Sequence, residues 1–200
     1  MKKILFISAL FFMFFTHSFS EERIEVKSKL GINYSVSNKL LPGALDIEQY
    51  KKVSKQALSK NAYKEIEQVL KQTKTDENMD MAMPLNGDDA LFSITKSTFD
   101  QNILIDNKNI NEFCNEVLAS HIKIFPKFKT TECKVSDIFK KGTGTLWISN
   151  TIDNGQSRMF VLHNFIKNIR YEIMLGCGVN YCDNYKEELF EIAKSLDLSS

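Results

Sequence analysis

Proline is scarce in this sequence, with three in 200 residues, and no Ser/Gly/Pro-rich stretch interrupts residues 21–200. A flexible multi-domain arrangement is therefore excluded, and one globular domain is expected over that span. No apolar run reaches the roughly 20 residues that a membrane-spanning helix needs. Neither sign of charge dominates, since 26 Lys and Arg stand against 25 Asp and Glu. Nucleic acid is thereby excluded as the main partner, because phosphate binding needs a clustered basic excess. Docking on an anionic membrane by charge alone is excluded on the same ground. Histidine is short too: beyond the first 20 residues only His121 and His163 occur, and neither sits in a G-x-S-x-G or H-E-x-x-H setting. Motif-based nucleophilic or metalloprotease chemistry has no foothold.

What is present begins with a secretion leader. Lys2 and Lys3 form a positive start, Ile4 to Phe15 an apolar stretch broken only by Ser8, and Ser18 and Ser20 the small residues of a cleavage site. Cleavage after Ser20 is expected, giving a soluble periplasmic or secreted chain that starts at Glu21. Because Glu21 is not Cys, no lipid-anchor site is expected at the new N-terminus. The two leader lysines account for the slight basic excess, so the remaining chain carries one more acid than base.

Along the chain, β-branched and aromatic residues in 23–37 predict one or two strands, with a turn at Pro42 and Gly43. From Asp46, a candidate N-cap, Ile47, Tyr50, Val53, Ala57, Leu58, Ala62, Ile66, Val69 and Leu70 recur at helical spacing. One long helix, or two with a break near residues 59–61, fits that pattern. Residues 74–89 read as an acidic connection around a short strand, and residues 90–96 as a strand. Asn109 or Asn111 caps a second expected helix, which ends before Pro126. Strands are then expected at 132–139, 145–152, 158–166 and 170–176. Turn chemistry lies at 141–144 and at Asp153-Asn154-Gly155, a short hairpin signal. Asp183 caps a last helix whose Tyr185, Leu189, Ile192, Ala193 and Leu196 make one apolar face. Helices before and after an antiparallel meander predict an α+β fold, a sheet covered by helices.

The run 158–176, the excursion after it, and 185–198 ending in Lys194-Ser195-Leu196-Asp197-Leu198 resemble the closing unit of the PsbP-like α/β/α sandwich family. The helix at 109–124 also stands where that family places one, so the resemblance spans roughly residues 89–198. It implies a sandwich fold and a tendency to act by binding other proteins. The family includes a photosynthetic extrinsic subunit, a nuclear-transport regulator, and envelope proteins that give immunity against secreted toxins.

Cys114, Cys133, Cys177 and Cys182 allow three pairings, among which sequence alone does not choose. Chain neighbourhood favours Cys177–Cys182, leaving Cys114–Cys133, and an oxidising compartment favours disulfides over metal, for which only Cys177, Cys182 and His163 would be at hand. Met79, Met81 and Met83 present soft sulfurs at alternate positions, a spacing able to hold Cu(I) or to pack one strand face against a helix. Asp76, Asn78 and Asp80 open like a calcium loop, but Met81 stands where Gly is needed and Gly87 where Glu is needed. Lys141-Gly142-Thr143-Gly144 has its lysine ahead of the glycines and reads as a turn. His163 reads as a hydrogen-bonded sheet histidine.

The resulting expectation is a non-enzymatic envelope protein without a cofactor, which binds another envelope or secreted protein in an accessory or immunity-type role. Asp76, Glu77 and Asp80 are the candidates for steering a basic partner, and Trp147 is a candidate aromatic anchor. The alternative is a small-ligand or Cu(I) carrier that uses Met79, Met81 and Met83.

Overall fold

The computed structural model describes residues 22–43, 77–124, 128–140, 142–151 and 157–197. The leader, the helix expected from Asp46, Asp76 and the turn at 153–155 lie outside the described residues. Within them, β1 (Arg23–Ser28) and β2 (Ile32–Ser37) form an antiparallel hairpin. The other strands are β3 (Leu40–Pro42), β4 (Met79–Pro84), β5 (Ala90–Thr98), β6 (Phe128–Ser136), β7 (Thr143–Thr151), β8 (Ser157–Ile166) and β9 (Ile169–Gly178). They build one antiparallel sheet in the order β3-β4-β5-β9-β8-β7-β6, so β6 to β9 are the expected meander. The helices are α1 (Ile110–Ile124) and α2 (Cys182–Ser195). The fold is α+β, as the element pattern predicts.

Several boundaries differ from expectation, each for a local reason. Pro42 ends β3 instead of making the turn, which falls at Gly43; Pro is tolerated there because β3 is an edge strand. β6 begins four residues before the expected 132 and carries a bulge between Thr130 and Glu132. Ile138 and Phe139, which extended the apparent strand, instead pack on the core from the connection after β6. Asp183 is in the first turn of α2, where a carboxylate favours the helix dipole, while the N-cap is Tyr181 without a side-chain cap bond. Gly142 has φ +88°, and a Cβ there would lie 2.5 Å from Asn164 Oδ1, so this turn requires glycine.

The sheet buries two clusters on opposite faces. On one, Ile24, Val26, Ile32 and Val36 of the hairpin and Leu189, Ile192 and Ala193 of α2 pack on Phe92, Phe160, Leu162, Ile173 and Leu175. Each fully buried side chain of this kind contributes about 1.5–3 kcal/mol. Arg23 fixes the hairpin to α2 through both nitrogens of its fork, at 2.9 and 3.1 Å from the Glu188 carboxylate, whose Oε1 also accepts from Ser37 N at 2.8 Å. On the other face, Phe113 and Val117 of α1 pack with Ile105 on Met159, Val161 and Phe165.

Both disulfides form in the pairing that chain neighbourhood favours. Cys177–Cys182 joins the end of β9 to the start of α2, and Cys114–Cys133 ties α1 to β6. Each bond therefore fastens one helical layer to the sheet. Among the described residues no helix is long and apolar enough to cross a membrane.

Candidate functional site

The α1 face carries the sheet's polar row. In register, Thr145 of β7 stands opposite His163 of β8, and His163 opposite Glu172 of β9. Thr145 Oγ1 lies 3.1 Å from His163 Nδ1, and His163 Nε2 lies 3.1 Å from Glu172 Oε2. With Glu172 ionised and the ring neutral, Nε2 carries the ring hydrogen and Thr145 donates to Nδ1. This is the hydrogen-bonded sheet histidine that the sequence predicts. The connectivity is that of a nucleophile–base–acid relay, but Thr145 and His163 are both 0 % exposed, so no substrate reaches the hydroxyl. Phe113 packs edge to face with the imidazole, ring centroids 5.2 Å apart, covering it from the helix side.

Beside this row lies a cleft of about 240 Å³, lined by Phe99, Ile103, Ile105, Phe113, Phe165 and Arg170, with Asn109, Glu112 and Glu116 at the helix side. The connection 99–109 forms one wall and is stitched down along its length. Phe99 N donates to Asn168 O at 2.8 Å, Ile103 N to Lys167 O at 2.8 Å, and Asn168 Nδ2 to Phe99 O at 3.1 Å. Lys167 and Asn168 are the two-residue turn between β8 and β9, and Lys167 has φ 56°, a left-handed conformation suited to a tight hairpin. At the other end Asn109 Nδ2 donates to Leu104 O at 2.7 Å, and Asn109 Oδ1 accepts from Asp106 N at 2.8 Å. Leu104, between two lining residues, is 64 % exposed. Arg170 lies 5.6 Å over the Phe99 ring, with Nη2 at 3.4 Å from Ser97 Oγ and 3.9 Å from Glu172 Oε2, while its buried Nε has no hydrogen-bond partner among the described residues.

The acidic segment is built otherwise than expected. Asp80 is not a solvated steering charge: it is 0 % exposed, because β4 is an interior strand and Asp80 shares the inward phase with Ala82. Its Oδ2 accepts from Tyr34 Oη at 2.8 Å and its Oδ1 from Met81 N at 2.9 Å. Burial raises the Asp80 carboxyl, against the opposing pull of the Tyr34 and Ser28 hydroxyls, the Met81 amide and the Lys29 charge. Burial, then the charge and hydrogen bond of Asp80, push the Tyr34 hydroxyl well above its ordinary value. Glu77 is exposed and lines an open depression of about 930 Å³ together with Lys29 and Lys96. Met79, Met81 and Met83 share one half-buried face of β4, as alternation predicts. Trp147 stands on β7 between Cys133 and Val161 in register, within the sheet. These residues do not converge: Glu77 and Asp80 belong to the hairpin end of β4, and Trp147 lies at the far side of the sheet.

The connection 99–109 was not assigned a role from sequence. Its signal is the run Ile103-Leu104-Ile105, three apolar residues outside any helical or strand period, where a plain loop would be polar.

No protein-family model and no curated protein matches the chain. Among solved structures, the solution structure of the cyanobacterial PsbP protein (CyanoP) from Synechocystis sp. PCC 6803 superposes with TM-score 0.57 at 10 % identity, covering 88 % of this chain and 91 % of that one. The fold is PsbP-like. A crystal structure from Bacteroides thetaiotaomicron VPI-5482 matches with TM-score 0.47 at 7 % identity, and there the match takes in 90 % of this chain but about half, 48 %, of the other. At 10 % identity the likeness to the cyanobacterial protein concerns the fold alone.

Proposed function

We propose that this chain is an exported accessory or immunity-type protein of the cell envelope that works by binding another protein and performs no chemistry of its own. The supporting observation is the stitched connection 99–109, which holds an exposed Leu104 beside a cleft already formed on the sheet. Apolar anchors on a rigid scaffold next to a receiving pocket are what protein recognition uses, since little ordering cost remains on binding. The complete burial of Thr145 and His163 favours a non-enzymatic role. Two disulfides favour an oxidising destination.

The test is size-exclusion chromatography of the natively expressed protein from the exported fraction, followed by reconstitution from purified components. A stoichiometric complex with a second polypeptide is expected, lost when Leu104→Asp is introduced into an otherwise folded protein. Elution of the chain alone, or a complex indifferent to Leu104→Asp, contradicts the reading.

A further inference from the structure

We infer that the cleft between residues 99–109, α1 and the β8–β9 turn receives one bulky apolar side chain of a protein partner, flanked in that partner by a lysine or arginine. The inference rests on the protein-binding reading and names the feature that would be recognised.

Size selects the occupant first. At about 240 Å³ the cleft falls below the roughly 300–1,000 Å³ of sites that enclose small-molecule ligands, and it suits a single aromatic or long aliphatic side chain. Its walls are apolar where such a side chain would lie: Phe99, Ile103, Ile105, Phe113 and Phe165. Phe113 and Phe165 already meet edge to face, with centroids 5.4 Å apart, a geometry that offers an incoming ring further edge contacts.

Polar groups then set the flank. Arg170 is a lining cation, and Glu172 lies 3.9 Å from its Nη2, offsetting its charge within the protein. Glu112 and Glu116, one helical turn apart on α1, are exposed at the cleft's edge and make that edge acidic. A cation beside the inserted side chain is therefore favoured over an anion. Preformation completes the argument, because the wall 99–109 is bonded to the β8–β9 turn at Phe99 and Ile103 and to Asn109 at Leu104.

The experiment uses the disulfide-intact chain in residue-resolved amide NMR at low ionic strength. The probes are acetylated, amidated tetrapeptides: glycine–phenylalanine–lysine–glycine, the same with glutamine for lysine, with aspartate for lysine, and with alanine for phenylalanine. Saturable shifts confined to residues 99–116 and 165–170 are expected with the phenylalanine–lysine peptide, at about millimolar affinity. The glutamine peptide should bind about two- to fivefold more weakly, the range one exposed ion pair supplies. The aspartate peptide should bind more weakly still, and the alanine peptide should not saturate. Glu112→Gln combined with Glu116→Gln, two exposed helix changes of similar propensity, should bring the lysine and glutamine peptides to parity. Shifts elsewhere, no saturation with any phenylalanine peptide, or a preference for glutamine or aspartate each overturn the inference. A partner complex that survives while the cleft ignores these peptides defeats this inference alone. Peptide binding in the cleft without any protein partner defeats the protein-binding reading alone.

Discussion

The two faces of the seven-stranded sheet are built to different standards. The α2 face is sealed: Val26, Val36, Leu162, Ile173, Leu175 and Leu189 have no exposed surface, and the hairpin is fastened to α2 by Arg23–Glu188, by Ser35 N donating to Ser195 Oγ at 2.9 Å, and by the paired backbones of Asn33 and Asp197. The α1 face has a smaller core, a polar row through its centre and a cleft at its edge. Close packing on one side gives the sheet a single rigid form, and the second side can then carry an incomplete surface without loss of fold. The contrast assigns scaffold to one face and recognition to the other.

Breaking the sealed face should have the largest effect. Leu189→Ala removes a fully buried side chain of α2 and should cost about 2–5 kcal/mol by denaturant unfolding, whereas Leu104→Ala on the other face should stay within about 0.5 kcal/mol. Equal costs would erase the contrast. The disulfides come next, since each fastens one face. In chain-entropy terms Cys114–Cys133, separated by 19 residues, stabilises by about 3 kcal/mol, and Cys177–Cys182, separated by 5, by about 2 kcal/mol. Pairwise replacement by Ala should show that order, and thiol titration of denatured, unreduced, exported protein should find few free thiols. Four free thiols would contradict both bonds.

A smaller effect isolates the buried acid. Asp80 has its carboxyl raised by burial, so the folded state holds that proton at a pH where the unfolded chain releases it. Its stabilising contribution is complete below the ordinary aspartate range and is lost as pH rises through the raised folded value. Asp80→Asn should flatten this part of the stability–pH curve, and Tyr34→Phe should move it to higher pH by removing a hydrogen bond that favours the ionised form. A curve unchanged by either substitution would mean that Asp80 is hydrated.

These contrasts also mark what could be read from residues alone. The strands at 143–151, 157–166 and 169–178 and the helices α1 and α2 follow from alternation and helical spacing, and the disulfide pairing is the one of three that chain neighbourhood favours. Asp80 was misread because Met-Asp-Met-Ala-Met presents two phases, and hydropathy assigns the methionines inward. Burial of the small-residue phase depends on β4 being interior and on Tyr34, 46 residues away, supplying a hydroxyl. The cleft was invisible for a similar reason: Phe99, Phe113 and Arg170 come from three separated segments, joined only by the register of β8 with β9 and the turn at Lys167 and Asn168. Only the unpatterned Ile103-Leu104-Ile105 run marked the place.

The division of labour between the faces is tested most directly by placing a photoreactive residue at Leu104 in one protein and at exposed Glu191 of α2 in another, each expressed at native level in its own compartment. The account predicts one saturable heteromeric crosslink from position 104, competed by unlabelled protein, and none from position 191. A specific crosslink from position 191 with none from 104 would contradict it.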